Sequence, residues 1–441
     1  MKRIISIVWL LLTLTAIYAE NNPYRSDVMW VTVPNHADWT YTTGEEAIVE
    51  VQVYKYGIPR DGVVNYSIGG DLLDSDHQGI ITLKEGRATI NMGTSQEPGF
   101  RDLRLEIELD NQRYKHHVKV GFSPEKIQPW TQEPADFMSY WRKAMKEAQQ
   151  YPLKYTKEYV PEMSDGTTDC WLIHLELNKA GQSLYGYLLM PKDAEKGSCP
   201  VVLTPPGAGV KTIKEVTSRP YFQENGMIRF VTEIHGLDPR MPESYFEEMR
   251  RAFESKDHGY LRSGLNDPDR YYMRHVYLGL VRCIDLLCSL PEWDGRNVIT
   301  LGGSQGGALA LVAAALDHRV NLCVANHPAL SDMGAGSAGL TSGYPHFRFE
   351  EYNTATLRTM SYYDVVNFAR HIRCETYMTW GYNDNTCSPT TSYAVWNTLR
   401  CRKTSLITPI NEHWTSDATN RAQMEWVKRR LADEDNPNDN N

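Results

Sequence analysis

A change of hydrophobic period near residue 125 constrains this chain more than any other feature, because the two periods demand different architectures. From about Glu20 to Phe122, apolar residues recur at every second position. Val49, Val51 and Val53 share one face, opposite Glu50 and Gln52. Leu103, Leu105, Ile107 and Leu109 alternate with Arg104, Glu106 and Glu108, and Tyr114, His116, Val118 and Val120 alternate again after a turn at Asp110-Asn111. Turn residues punctuate the runs, as in Pro59-Arg60-Asp61-Gly62 and Gly69-Gly70-Asp71. Short period-two runs with tight turns and no helical stretch predict an antiparallel, Ig-like β-sandwich over 20–125.

After Ser123-Pro124 the pattern becomes helical. Phe137, Trp141, Ala144 and Ala148 fall on one helical face, with Pro134 near its start. Short apolar runs follow at Val201–Leu203 and Arg229–Val231, and further strands are expected at Asn297–Leu301, Leu322–Ala325, Thr376–Trp380 and Ser405–Ile407. Helical patterns separate them: Tyr277, Val281, Ile284 and Cys288 mark one face, another helix runs through Leu316, and a last one closes near Arg421–Leu431. Strands that are apolar throughout and alternate with helices predict an α/β unit over 126–431, with a mostly parallel sheet covered on both faces. The segment 432–441 carries four acids and no base and reads as a solvated, disordered tail.

Within the second unit, Gly302-Gly303-Ser304-Gln305-Gly306-Gly307 follows a strand and opens a helix. A serine in G-x-S-x-G in that context is a nucleophile elbow, a tight turn whose flanks must be small, and it predicts an α/β-hydrolase fold. The fold orders its partners as Ser, acid, His. His318, His327, His346, His371 and His413 follow Ser304, but only His413 follows Asp384, which lies just past the strand Thr376–Trp380. Ser304, Asp384 and His413 are therefore the candidate catalytic residues. Asp332, past Leu322–Ala325, is the rival acid. An oxyanion hole needs two N–H donors; the candidates are Gln305 and, in Pro205-Pro206-Gly207-Ala208-Gly209, Ala208. This chemistry calls for no cofactor and no metal.

Composition narrows the partners. With 46 Lys+Arg against 55 Asp+Glu, the net charge is −9, which argues against a nucleic-acid-binding body. Residues 1–19 (MKRIISIVWLLLTLTAIYA) show a basic start, a short apolar core and a small residue at Ala19, the pattern of a secretory signal. The expected location is secreted or periplasmic, with no membrane span after cleavage. Eight cysteines without a CxxC pair suggest neither a disulfide scaffold nor a zinc site, and Cys283, Cys288 and Cys323 read as buried thiols.

Several stretches of the second unit resemble carbohydrate esterase family seven, the acetyl xylan esterases and cephalosporin C deacetylases. Arg270 to Leu278 (RYYMRHVYL) resembles the family's YYYRxVYLD helix start, and Gly303 to Gly307 matches its GSQGG elbow. Tyr362 to Ala369 (YYDVVNFA) is similar to YFDxVNFA, and Gly381 to Thr391 (GYNDNTCSPTT) to the acid-bearing GLxDxxxPPST loop, which places the acid at Asp384. The entry helix Pro134–Ala148 resembles the family's DFxxFW helix. The likeness spans roughly 130–430 and departs at three places. His235-Gly236-Leu237 stands for RGQ, Pro206-Gly207-Ala208 for HGY, and Asn411-Glu412-His413 for GHE. The family lacks the sandwich.

The resemblance implies a serine esterase that removes O-acetyl groups from acetylated xylan fragments or similar carbohydrates. It also allows a homo-oligomer, since the family commonly forms hexamers. Two other readings stay open: a serine peptidase or broad esterase on the same fold, and a non-catalytic carbohydrate-binding protein.

Overall fold

The computed structural model describes residues 27–214, 216 and 222–435. The expected signal segment lies outside them, as does the end of the expected tail. The chain divides into two compact units. The first comprises most of the residues up to Phe122, and the second runs from Ser123 onward and also takes in Gly70–Leu73 and Pro98–Phe100.

Among the described residues, the first unit holds nine strands: β1 (Val28–Pro34), β2 (Thr40–Tyr41), β3 (Ala47–Lys55), β4 (Ile58–Pro59), β5 (Gly62–Gly70), β6 (Ser75–Leu83), β7 (Arg87–Gly93), β8 (Gly99–Leu109) and β9 (Gln112–Phe122). They form a four-stranded sheet around β3 and a five-stranded sheet ordered β2-β9-β8-β5-β6. β3 is buried at every second residue along its length, as the alternation at Val49, Val51 and Val53 requires. These valines share one core with Leu103, Leu105, Ile107, Val118 and Val120 of the other sheet, so the two sheets pack face to face. The turn between β8 and β9 places Asp110 and Asn111 both at positive φ (52° and 61°), the geometry of a two-residue hairpin and one that Asp and Asn tolerate. One detail departs from the all-antiparallel expectation: the short β2 pairs with β9 in parallel.

The second unit is built on a nine-stranded sheet. Its strands are β10 (Lys154–Tyr159), β11 (Thr168–Glu176), β12 (Ser183–Pro191), β13 (Cys199–Thr204), β14 (Ile228–Thr232), β15 (Trp293–Gly303), β16 (Val320–Asn326), β17 (Glu375–Trp380) and β18 (Lys403–Ile407). The spatial order is β10-β11-β12-β14-β13-β15-β16-β17-β18. The first three pairings in this order are antiparallel and the other five parallel. The single crossing of β13 and β14 breaks the sequential order.

The helices are α1 (Phe137–Gln149), α2 (Glu243–Asp257), α3 (Met273–Cys288), α4 (Gln305–Leu316), α5 (Thr354–Tyr363), α6 (Val365–Ala369), α7 (Pro389–Thr398) and α8 (Asp417–Asp435). α1 buries Phe137, Trp141 and Ala144. α3 is buried nearly all round rather than along one face, while Cys288 at its end is only half-buried. α8 runs to Asp435, past the expected stop at Leu431; no Pro or Gly intervenes before Pro437.

The parallel strands end in step. Gly303 lies beside Asn326, Asn326 beside Thr379, and Thr379 beside Leu406. Loops leaving these strands therefore emerge together on one rim of the sheet, where such folds gather their chemistry.

Candidate active site

At the end of β15 the chain turns sharply into α4. Ser304 sits at φ 60° and ψ −127°, a strained conformation for a residue with a side chain. Backbone hydrogen bonds fix it on both sides: its N–H donates to the Asn326 carbonyl (3.0 Å), and its own carbonyl accepts from Ala308 (3.0 Å) and Ala329 (3.1 Å). The flanking glycines are needed for close approach. A Cβ on Gly302 would lie 2.3 Å from the Gly306 carbonyl oxygen, and one on Gly306 would lie 2.5 Å from that of Pro205. α4 itself is Ala- and Leu-rich and almost wholly buried, which anchors the turn against the sheet.

Asp384 leaves β17 on a loop and is fully buried. Its Oδ1 accepts from the backbone N–H groups of Thr386 (2.7 Å) and Cys387 (2.8 Å), which leaves Oδ2 facing His413. His413 Nδ1 lies 2.8 Å from that oxygen, and His413 Nε2 lies 3.0 Å from Ser304 Oγ. Against a carboxylate, Nδ1 donates; Nε2 is then free to accept the serine proton. Sequence reasoning named these three residues, and the fold brings them together across 80 and 29 positions of chain between Ser304, Asp384 and His413.

The rival acid is engaged elsewhere. Asp332 accepts from the N–H groups of Trp130 (2.9 Å) and Thr131 (2.7 Å). Asp364, in the YYDVVNFA stretch, accepts from the N–H groups of Asp332 (2.8 Å) and Met333 (2.7 Å) and from the Thr131 hydroxyl (3.0 Å). Burial, then the neighbouring Asp332, pushes the Asp364 carboxyl up to about 7. This buried pair ties the start of the unit to its centre. Among the other histidines, His346 contacts the carbonyls of Ser342 (3.1 Å) and Thr386 (2.9 Å), and His371 contacts Glu133 (2.6 Å).

Two groups beside the site had no role in the sequence reading. The His327 ring lies 4.4 Å from that of His413, and burial first, then His413, pushes it down to about 4, so it stays neutral. Cys387 is buried against the Ser304 hydroxyl, and burial holds its thiol well above its ordinary range. It does not compete with Ser304 as a thiolate. His327, Asp384 and His413 also bring ligand atoms within 4.8 Å of one another. The hydrogen bonds of His413 to Asp384 and Ser304 already occupy both of its nitrogens.

A cavity of about 550 Å³ opens over Ser304. Its walls include Pro206, Gly207, Gly209, His235, His327 and Trp414. Ala208 lies between two of these wall residues and is half-buried, while Gln305 is fully buried at the first turn of α4. Such an arrangement suits nucleophilic attack on an acyl carbonyl, with a base and its orienting carboxylate in line.

Residues 125–430 match the family model described as acetyl xylan esterase (AXE1). The chain belongs to the acetyl xylan esterase family. It is accordingly a carboxylic ester hydrolase. It is 51% identical, over 432 residues, to the acetyl esterase Axe7A of Xylanibacter ruminicola, covering 98% of this chain and 97% of that one. This relative therefore extends through the N-terminal sandwich as well. Among solved structures, the acetyl xylan esterase from Paenibacillus sp. R4 is similar at TM-score 0.60 and 25% identity, covering 69% of this chain and 98% of that one. The acetyl xylan esterase 1 from Thermoanaerobacterium sp. JW/SL YS485 shares the fold at TM-score 0.58 and 20% identity, covering 69% and 96%.

Proposed function

We propose that this family member removes O-acetyl groups from acetylated xylan fragments or similar carbohydrates through a Ser304–His413–Asp384 triad. The observation that carries the reading is the line Asp384 Oδ2–His413–Ser304 Oγ, at 2.8 and 3.0 Å, with His413 and Ser304 lining the cavity. His413 takes the hydroxyl proton as Ser304 attacks the acetyl carbonyl. Asp384 holds the imidazole tautomer and stabilises its charged form. The N–H groups of Gln305 and Ala208 receive the oxyanion. His413 then gives its proton to the departing sugar oxygen, which leaves as a hydroxyl, and water, activated by the same histidine, releases acetate from Ser304.

The test compares wild-type protein with Ser304→Ala on acetylated xylo-oligosaccharides, p-nitrophenyl acetate, longer acyl esters and a peptide amide. Acetate release by the wild type alone, with little turnover of the peptide, is expected. Preferential cleavage of the peptide would replace the deacetylase reading with a peptidase.

A further inference from the structure

Tyr260 occupies a place that the triad does not explain. It lies in the segment between α2 and α3 and is 7% exposed. Its hydroxyl donates to Gln305 Oε1 at 2.6 Å and accepts from the Gly209 N–H at 3.2 Å. Gln305 Nε2 is buried without a protein partner, so Tyr260 supplies the one hydrogen bond this side chain makes among the described residues. Gly209 is held from its other side as well. Its carbonyl lies 3.3 Å from His235 Nε2, while His235 Nδ1 lies 2.7 Å from the Tyr272 hydroxyl. The Tyr272 O–H donating to Nδ1 leaves the Nε2 proton for Gly209. The rings of His235 and Tyr272 pack against Tyr260 at centroid distances of 4.8 and 5.5 Å. Gly209 adopts φ 114°, which only glycine holds without strain, so this position has no side chain of its own to fix it.

We propose that Tyr260, supported by His235, is a positioning residue that sets the spacing between the two oxyanion-binding segments, Gly207–Gly209 and Ser304–Gln305. This inference rests on the triad reading above. One hydroxyl bridges both segments, each one residue or less from a proposed N–H donor. An oxyanion hole works only if its donors are already aimed where charge develops. Removing the bridge leaves substrate binding in place and loosens the hole, so the loss falls on the transition state.

The experiment measures kcat and KM for acetyl ester hydrolysis, and affinity for methylboronic acid, which forms a tetrahedral adduct on an active serine. Wild type, Tyr260→Phe, Gln305→Leu, the double variant and Ser304→Ala are compared. Tyr260→Phe is expected to lower kcat about tenfold to a hundredfold with KM little changed, and to weaken the boronate in proportion. The double variant should lose no more than Tyr260→Phe alone, because both remove the same bond. Should Tyr260→Phe fail to fold, Gln305→Leu carries the same expectation from the other side. Wild-type kcat in Tyr260→Phe, or a lower kcat with unchanged boronate affinity, overturns the positioning role while an inactive Ser304→Ala leaves the triad standing. Turnover retained by Ser304→Ala overturns the triad and this inference with it.

Discussion

Asp384 illustrates how a single carboxylate is prepared for its place. Two backbone N–H groups hold one oxygen, full burial keeps water away, and the second oxygen is left to His413. Asp384→Asn would keep the shape but present an amide to Nδ1, favouring the wrong imidazole tautomer. The expected fall in kcat is about 10⁴-fold, with KM little changed, read from steady-state acetate release. Asp364 has the opposite character. Its folded form keeps its proton up to about pH 7, whereas an unfolded Asp loses it near 3.8. Its contribution to stability is therefore complete below about pH 3.8 and is lost as pH rises through about 7, at up to about 1.4 kcal/mol per pH unit. Relative to Asp364→Asn, the wild type should lose stability as pH rises from 4 to 7 in chemical denaturation. A difference that stays constant across that range would contradict the assignment. The residues proposed for the triad could be nominated from the sequence because the elbow around Ser304 is a local motif and only one histidine follows Asp384. Tyr260 could not, because its two hydrogen bonds span 51 and 45 positions and leave no periodic trace.

At the scale of elements, the elbow between β15 and α4 depends on backbone contact rather than on side chains. Gly306→Ala would drive a Cβ toward the Pro205 carbonyl, now 2.5 Å from its ideal position. An overpacking cost of about 1–3 kcal/mol is expected, visible as a lower Tm. Because the same shift moves Gln305 and the Pro205–Gly209 loop apart, kcat should fall as well, by about a hundredfold for an ångström of displacement. A variant with native Tm and native kcat would show that the turn has room to spare.

The strands β13, β14, β16 and β17 and the second half of β15 were readable because burial on both faces makes them largely apolar, whereas β18 (KTSLI) is only partly buried. β10 escaped notice because its sequence, KYTKEY, is mostly exposed at the sheet edge and carries no apolar stripe. β11 and β12 escaped because they form an antiparallel hairpin ahead of the βα alternation. α2 is likewise charged along most of its length.

At the scale of the whole molecule, the contacts divide the chain at Phe122 and Ser123, and the apolar period changes near residue 125. The inclusion of Gly70–Leu73 and Pro98–Phe100 in the second unit was not readable, because it depends on tertiary contact rather than on pattern. The chain's charge of −9 says little about its substrate, as four of its acids lie in the last ten residues. Because both nitrogens of His413 are engaged by Asp384 and Ser304, dialysis of the full chain against EDTA should leave kcat within about twofold. Loss of activity restored by added zinc would show that His327, Asp384 and His413 hold an ion instead.

The most direct test of the account is covalent. Protein mixed with p-nitrophenyl acetate and acid-quenched within the first turnover would be digested and mapped by mass spectrometry. The account predicts a single acetyl group on the peptide containing Ser304, formed in a burst and absent from Ser304→Ala. Acetate release at the wild-type rate with no acetyl group on Ser304, or with the group on another residue, would contradict it.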